Sequence, residues 1–151
     1  MARDDIQLRT LMRGALRGGT SVVLATVSAD GVAATALNSW IIAKDGDVVA
    51  LAVDKRSTAY QNISAGRAGV AFELLADDLI LAVRGTAQIV HDLESVPFPC
   101  ALAHIRVETV RDHTVAGVHF QGPRYSYADD KEHRGAIERA ILDELGKDVK
   151  R

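Results

Sequence analysis

Apolar residues between Asp5 and Arg17 fall at Ile6, Leu8, Leu11, Met12, Ala15 and Leu16. Spacings of three and four predict a helix with one buried stripe, and Gly18-Gly19 ends it. Ser21 to Ser28 is apolar and β-branched, which predicts a strand. Ala29-Asp30-Gly31 is a tight-turn signal. A long second strand is expected from Val32 to Ala43. Its two faces are Ala34, Ala36, Asn38, Trp40, Ile42 and Thr35, Leu37, Ser39, Ile41, Ala43. Neither face is cleanly polar, so both are expected to be covered. Lys44-Asp45-Gly46-Asp47 turns into a third strand, Val48 to Val53, completing an antiparallel meander. A short helix follows from Thr58 to Ala65, closed by Gly66.

Further strands are expected at Gly69 to Leu75, Leu79 to Val90 and Ala101 to Arg111, each alternating or apolar. Gly85 falls in the apolar series of its strand and predicts a bulge or a close backbone approach. Ala76-Asp77-Asp78 reads as a turn rather than a carboxylate pair. Asp92 to Pro99 is a connection with room for one helical turn. Val115 to Phe120 extends the last strand or forms another, and Gln121 to Tyr127 is a loop. A final helix, Asp129 to Gly146, carries a stripe of Ile137, Ala140, Ile141, Leu142 and Leu145, followed by a frayed tail, Lys147 to Arg151. The class is therefore mainly β with flanking helices. Six antiparallel strands joined by short turns close, or nearly close, into a barrel, because an open sheet would leave long apolar edges.

Composition narrows the picture. The 151 residues fit a single domain spanning 1–151. The formal net charge is −2 and no basic block stands out, which argues against nucleic acid as a partner. A single cysteine, Cys100, rules out an intrachain disulfide and a cysteine-based zinc cluster, and suits a reducing cytoplasm. The charged N-terminal stretch lacks a secretory apolar region. No apolar run reaches the roughly 20 residues of a membrane-spanning helix.

The chemistry concentrates after the third strand, at Asp54-Lys55-Arg56-Ser57-Thr58. Ser57 is an N-cap candidate for the short helix. The first N–H groups of that helix, the Ser57 and Thr58 hydroxyls, and the cations Lys55 and Arg56 together form the donor set that a phosphate monoester requires. The same residues also describe a capped surface helix with two solvated cations.

In order along the chain, LATVSADG, a long strand ending in NSWII, KDGD, DKRSTAYQNI and ILAVRGTAQIV resemble the pyridoxamine 5′-phosphate oxidase-like family. The resemblance covers Ser21 to Val90 and implies a six-stranded antiparallel split β-barrel of the FMN-binding type. It also implies a homodimer with flavin at the subunit interface. By position, Asn38, Ser39 and Trp40 resemble the segment beside the isoalloxazine ring, and Val53, Asp54 and Lys55 the strand end below it. Arg56, Ser57 and Thr58 resemble the phosphate cradle, with Asn62 on the helix behind and Arg84 able to approach the phosphate or ribityl chain. Two departures stand out. Thr58-Ala59 replace an Arg-Lys pair common in the family, and the C-terminal Arg-Leu-X-Pro of vitamin B6 oxidases is absent.

Each candidate has two readings. Trp40 packs a core or interface, or contacts the flavin. Asn38 needs partners, from the flavin edge or from local backbone. His104, His113 and His119 lack tight metal spacing and read as surface or interface residues, so no metal is expected. Ser28 and Ser57 have no GxSxG context, which discounts a hydrolase. No acid–base constellation is evident, which suits a flavin protein because the cofactor carries the chemistry. The expected activity is FMN-dependent hydride transfer to or from a small organic substrate. The rivals are a haem-binding or haem-degrading split barrel, a deazaflavin-dependent reductase and a non-catalytic flavin-binding protein.

Overall fold

The computed structural model describes residues 2–45 and 47–147. The chain opens with helix α1, Asp5–Ala15. Asp4 and Gln7 form a reciprocal capping box, with Asp4 Oδ1 2.8 Å from the Gln7 N–H it accepts. Leu8 and Met12 on α1, and Leu16 just past it, are buried, whereas Ile6 is 76% exposed and falls off the stripe. The strands are β1 Ser21–Val27, β2 Ala33–Asn38, β3 Ile41–Ala43, β4 Val48–Asp54, β5 Gly69–Ala76, β6 Leu79–Asp92 and β7 Cys100–Asp112. Helix α2, Thr58–Ser64, follows β4. A 3-10 turn at Asp129–Lys131 precedes helix α3, His133–Leu145.

Among the described residues the sheet has seven strands, not six, in the order β2-β1-β5-β6-β7-β4-β3. Every neighbouring pair is antiparallel. The extra strand arises because the expected strand 32–43 breaks at Ser39-Trp40. Its first half pairs with β1 and its second with β4, at opposite edges of the sheet. The two outer strands are thus consecutive pieces of chain, and the sheet curls until that chain joins its edges. The meander is therefore two hairpins, β1-β2 and β3-β4, hinged at the break.

Inside the curl lie Val22, Leu24, Leu51, Phe72, Leu81 and Ile105, all almost wholly buried, with α1 and α2 closing against them. Outside, α3 lays Ile141 and Leu145 over Ala50, Ala52, Cys100 and Leu102. Covering on both faces explains why β4 is an unbroken apolar run. Within one chain the outer residues of β2, Ala33, Thr35 and Leu37, are exposed.

Gly85 sits at a register shift, with Arg84 opposite Thr109 and Gly85 opposite Val107. A Cβ there would lie 2.2 Å from the Arg106 carbonyl oxygen, so the close approach demands glycine. Residues 115–120 form no strand and 93–99 no helix. Instead, the chain after β7 is tied to the β5-β6 turn. Asp78, at φ 54, accepts from the Phe120 N–H at 2.9 Å, and Asp77 from the Gly122 N–H at 2.9 Å. Gly46 and most of the expected frayed tail, 148–151, lie outside the described residues.

Candidate functional site

The strand break is built by Asn38. Its Oδ1 accepts from the Trp40 N–H at 2.8 Å, a side-chain turn across two residues. Its Nδ2 donates to the Ala52 carbonyl at 2.9 Å. The Ala52 N–H in turn donates to the Trp40 carbonyl at 2.9 Å. Local backbone therefore supplies the partners this amide needs. The turn re-aims Trp40, whose indole stacks on Phe98 at 5.9 Å between centroids and 27° between planes. Phe98 was not anticipated from sequence. Its only signal is the Pro97-Phe98-Pro99 setting, which favours an extended chain presenting one ring.

Beside the break lies a cleft of about 250 Å³. Asn38, Ser39 and Trp40 line it from the break, Val53 and Asp54 from the end of β4, and Ser57 from the cap of α2. Leu24, Ala36, Leu37, Ala52 and Ala59 complete the wall. These sequence-named residues meet because the break and the end of β4 are adjacent across the β3-β4 hairpin.

The other named residues stand outside the cleft lining. Lys55 donates to Asp92 at 3.0 Å. Arg56 grips the Asp54 carboxylate and lies over the Phe98 ring at 5.8 Å. Thr58 is exposed at the first turn of α2. Asn62 is buried and donates to Thr26 Oγ1 at 3.0 Å, tying α2 to β1 rather than facing a ligand. Arg84 lines a separate cleft with Val27, Gly69 and Glu108 and is not brought to the turn within one chain.

The electrostatics of the turn are settled internally. Hydrogen bonding from the Arg56 side chain holds the Asp54 carboxyl below its ordinary range, and the same bond raises the Arg56 guanidinium. Asp92 does the same for Lys55. Burial, reinforced by the Asp54 charge, pushes the Cys100 thiol up to about 11, which leaves it un-ionised at neutral pH. Tyr125 and Tyr127 both donate to Glu138, and Tyr125 also lies against Ser39 on the cleft wall. Burial and Glu138 push Tyr127 up to about 12. Among the described residues, no group of three or more His, Cys, Asp or Glu is placed to hold a metal ion, and no helix is long and apolar enough to cross a membrane.

A flavin fits this site in one part and not in another. The indole face, the apolar wall of Leu24, Leu37 and Val53, and the polar edge at Ser39 suit a planar heteroaromatic ring. The turn suits a phosphate poorly, because Arg56 and Ser57 already donate to Asp54 and Lys55 to Asp92.

No protein-family model and no curated protein matches the chain. Solved structures do. A protein described as a candidate pyridoxamine 5′-phosphate oxidase from Lactobacillus delbrueckii is 21% identical over 74% of this chain and 93% of its own, with a TM-score of 0.50. An FMN-binding protein from Syntrophomonas wolfei is 17% identical over 73% and 90%, with a TM-score of 0.51. HutZ, the haem storage protein of Vibrio cholerae, is 12% identical over 70% and 94%, with a TM-score of 0.56. The chain has the split-barrel fold of the pyridoxamine 5′-phosphate oxidase-like proteins.

Proposed function

We propose that this split barrel binds the ring of a flavin, as FMN or its parent riboflavin, against Trp40. On this reading it acts as a flavin-dependent oxidoreductase on a small organic substrate. The observation that carries the reading is the convergence of Asn38, Ser39, Trp40, Val53, Asp54 and Ser57 on one cleft. At about 250 Å³ that cleft falls short of the roughly 300–1,000 Å³ of ordinary ligand sites. A second copy of the chain would enlarge it. Leu37, 71% exposed, belongs both to the cleft wall and to the bare outer face of β2, so a homodimer covering that face would also extend the cleft.

The haem alternative has weaker support. His104 lines a different cleft, of about 120 Å³, with Thr86, Gln88 and Arg106. His113 and His119 are exposed and lie beside Glu73 and Asp78.

Titration with FMN and with riboflavin, followed by quenching of flavin fluorescence, tests the reading. Saturable quenching is expected, weakened about tenfold or more in Trp40→Ala through loss of the stacking surface. Light scattering on the same sample is expected to give twice the chain mass. Anaerobic addition of NADH or NADPH to the loaded protein then separates an enzyme, whose flavin bleaches, from a flavin carrier. No quenching by either flavin, with a Soret band on adding haemin, would replace flavin by haem.

A further inference from the structure

We infer that Asp54 makes the cleft discriminate against a phosphorylated flavin and favour one whose side chain ends in hydroxyls. The inference rests on the flavin reading above and concerns the end of the ligand remote from the ring. Asp54 closes β4 and lines the cleft together with Ser57, next to the Arg56-Ser57-Thr58 stretch where the family resemblance expects a phosphate.

The side chains of Lys55, Arg56 and Ser57 at this turn already have acceptors inside the chain. Arg56 gives Nε to Asp54 Oδ1 at 2.9 Å and Nη2 to Oδ2 at 2.7 Å. The Arg56 backbone N–H also goes to Oδ1, at 2.8 Å. Ser57 directs its N–H and its hydroxyl to the Asp54 carbonyl, at 3.0 and 2.6 Å. The Ser57 oxygen then accepts the Tyr60 N–H at 3.1 Å, which caps α2. Lys55 reaches away to Asp92. An arriving phosphate meets a carboxylate whose neutralising cation is already engaged.

The pair is exposed, with Asp54 35% and Arg56 67% accessible, so breaking it costs little by itself. The penalty comes from leaving the Asp54 charge beside the phosphate, a repulsion that water and salt reduce but do not remove. A hydroxyl carries no such penalty. A carboxylate offers about four lone-pair positions, and Arg56 takes two on Oδ1 and one on Oδ2. One position on Oδ2 remains for a ligand O–H.

The test compares FMN with riboflavin on wild type and on Asp54→Asn. Wild type is expected to bind riboflavin at least as tightly as FMN. Asp54→Asn removes the charge and frees Arg56, and is expected to shift the FMN-to-riboflavin affinity ratio about tenfold towards FMN. Wild type holding FMN about tenfold more tightly than riboflavin would overturn the inference, as would an unchanged ratio in the variant. A second arm needs no flavin: the Arg56 Nε–H resonance is followed while inorganic phosphate is added. It is expected to stay put in wild type and to move in Asp54→Asn. Movement in wild type, or none in either protein, would overturn the inference. If neither flavin binds, the flavin reading falls, and the phosphate arm still decides the role of Asp54.

Discussion

Asn38 and Ala52 are joined by a side chain where a sheet would use backbone. Asn38 Nδ2 donates to the Ala52 carbonyl at 2.9 Å, across the point where β2 has ended and β3 has not begun. The amide therefore supplies a rung of the ladder and fixes the angle at which the chain crosses from one sheet edge to the other. Asn38→Ala removes that donor and the acceptor of the Trp40 N–H. Two partners lose their bonds, so a loss of about 1–3 kcal/mol in urea unfolding is expected. Asn38→Asp keeps the acceptor but sets a carboxylate against a carbonyl, and is expected to be no more stable than Asn38→Ala. Wild-type stability in both variants would show that the break holds without the amide.

Gly85 gives a second, sharper expectation. Its missing Cβ would overlap the Arg106 carbonyl at 2.2 Å and Ile105 Cγ2 at 2.9 Å. Backbone in the middle of the β6-β7 ladder cannot yield without breaking its neighbours' bonds. Gly85→Ala is therefore expected to cost at least the roughly 1–3 kcal/mol of an overpacked core. Gly69, on the adjacent strand, has nothing within 4 Å of its Cβ position. Gly69→Ala is expected to be neutral or slightly stabilising in the same melts. Equal melting temperatures for the two variants would contradict this account.

His104 makes stability depend on pH. Its Nε2 is buried without a hydrogen-bond partner among the described residues. Burial foremost, then the charges of Lys44 and His91, lowers its pKa below the ordinary 6.5. The unfolded chain therefore takes up this proton at higher pH than the folded one. The His104 contribution is complete above about pH 6.5 and declines as pH falls through that value towards the folded pKa. His104→Gln cannot titrate, so the stability lost between pH 7.5 and pH 5 is expected to be smaller in the variant. Parallel losses in the two proteins would exclude His104 as a source.

Local pattern carried much of this architecture. Asp4 and Gln7 with the Leu8, Met12 and Leu16 stripe specify α1 within a few residues, because caps and helical spacing act over one or two turns. Ala29-Asp30-Gly31 and Asp77-Asp78 mark their turns for the same reason. Gly85 announced the close approach that the register confirms. The order of motifs from Ser21 to Val90 pointed to the split-barrel fold, and the grouping of Asn38, Ser39 and Trp40 with Val53, Asp54 and Ser57 followed from it.

Tertiary structure decided the rest. Residues 32–43 have strand character throughout, and the break at Ser39-Trp40 becomes apparent only once β4 offers the Ala52 carbonyl to Asn38. Phe98 and Tyr125 reach Trp40 and Ser39 from distant loops, and Glu138 of α3 accepts from Tyr125, all beyond the range of any local signal. The cations at Lys55 and Arg56 looked available because sequence counts charges without their partners. Folding sets Asp54 and Asp92 within 3.0 Å of them, and a cation within hydrogen-bonding distance of a carboxylate is no longer a free anion site.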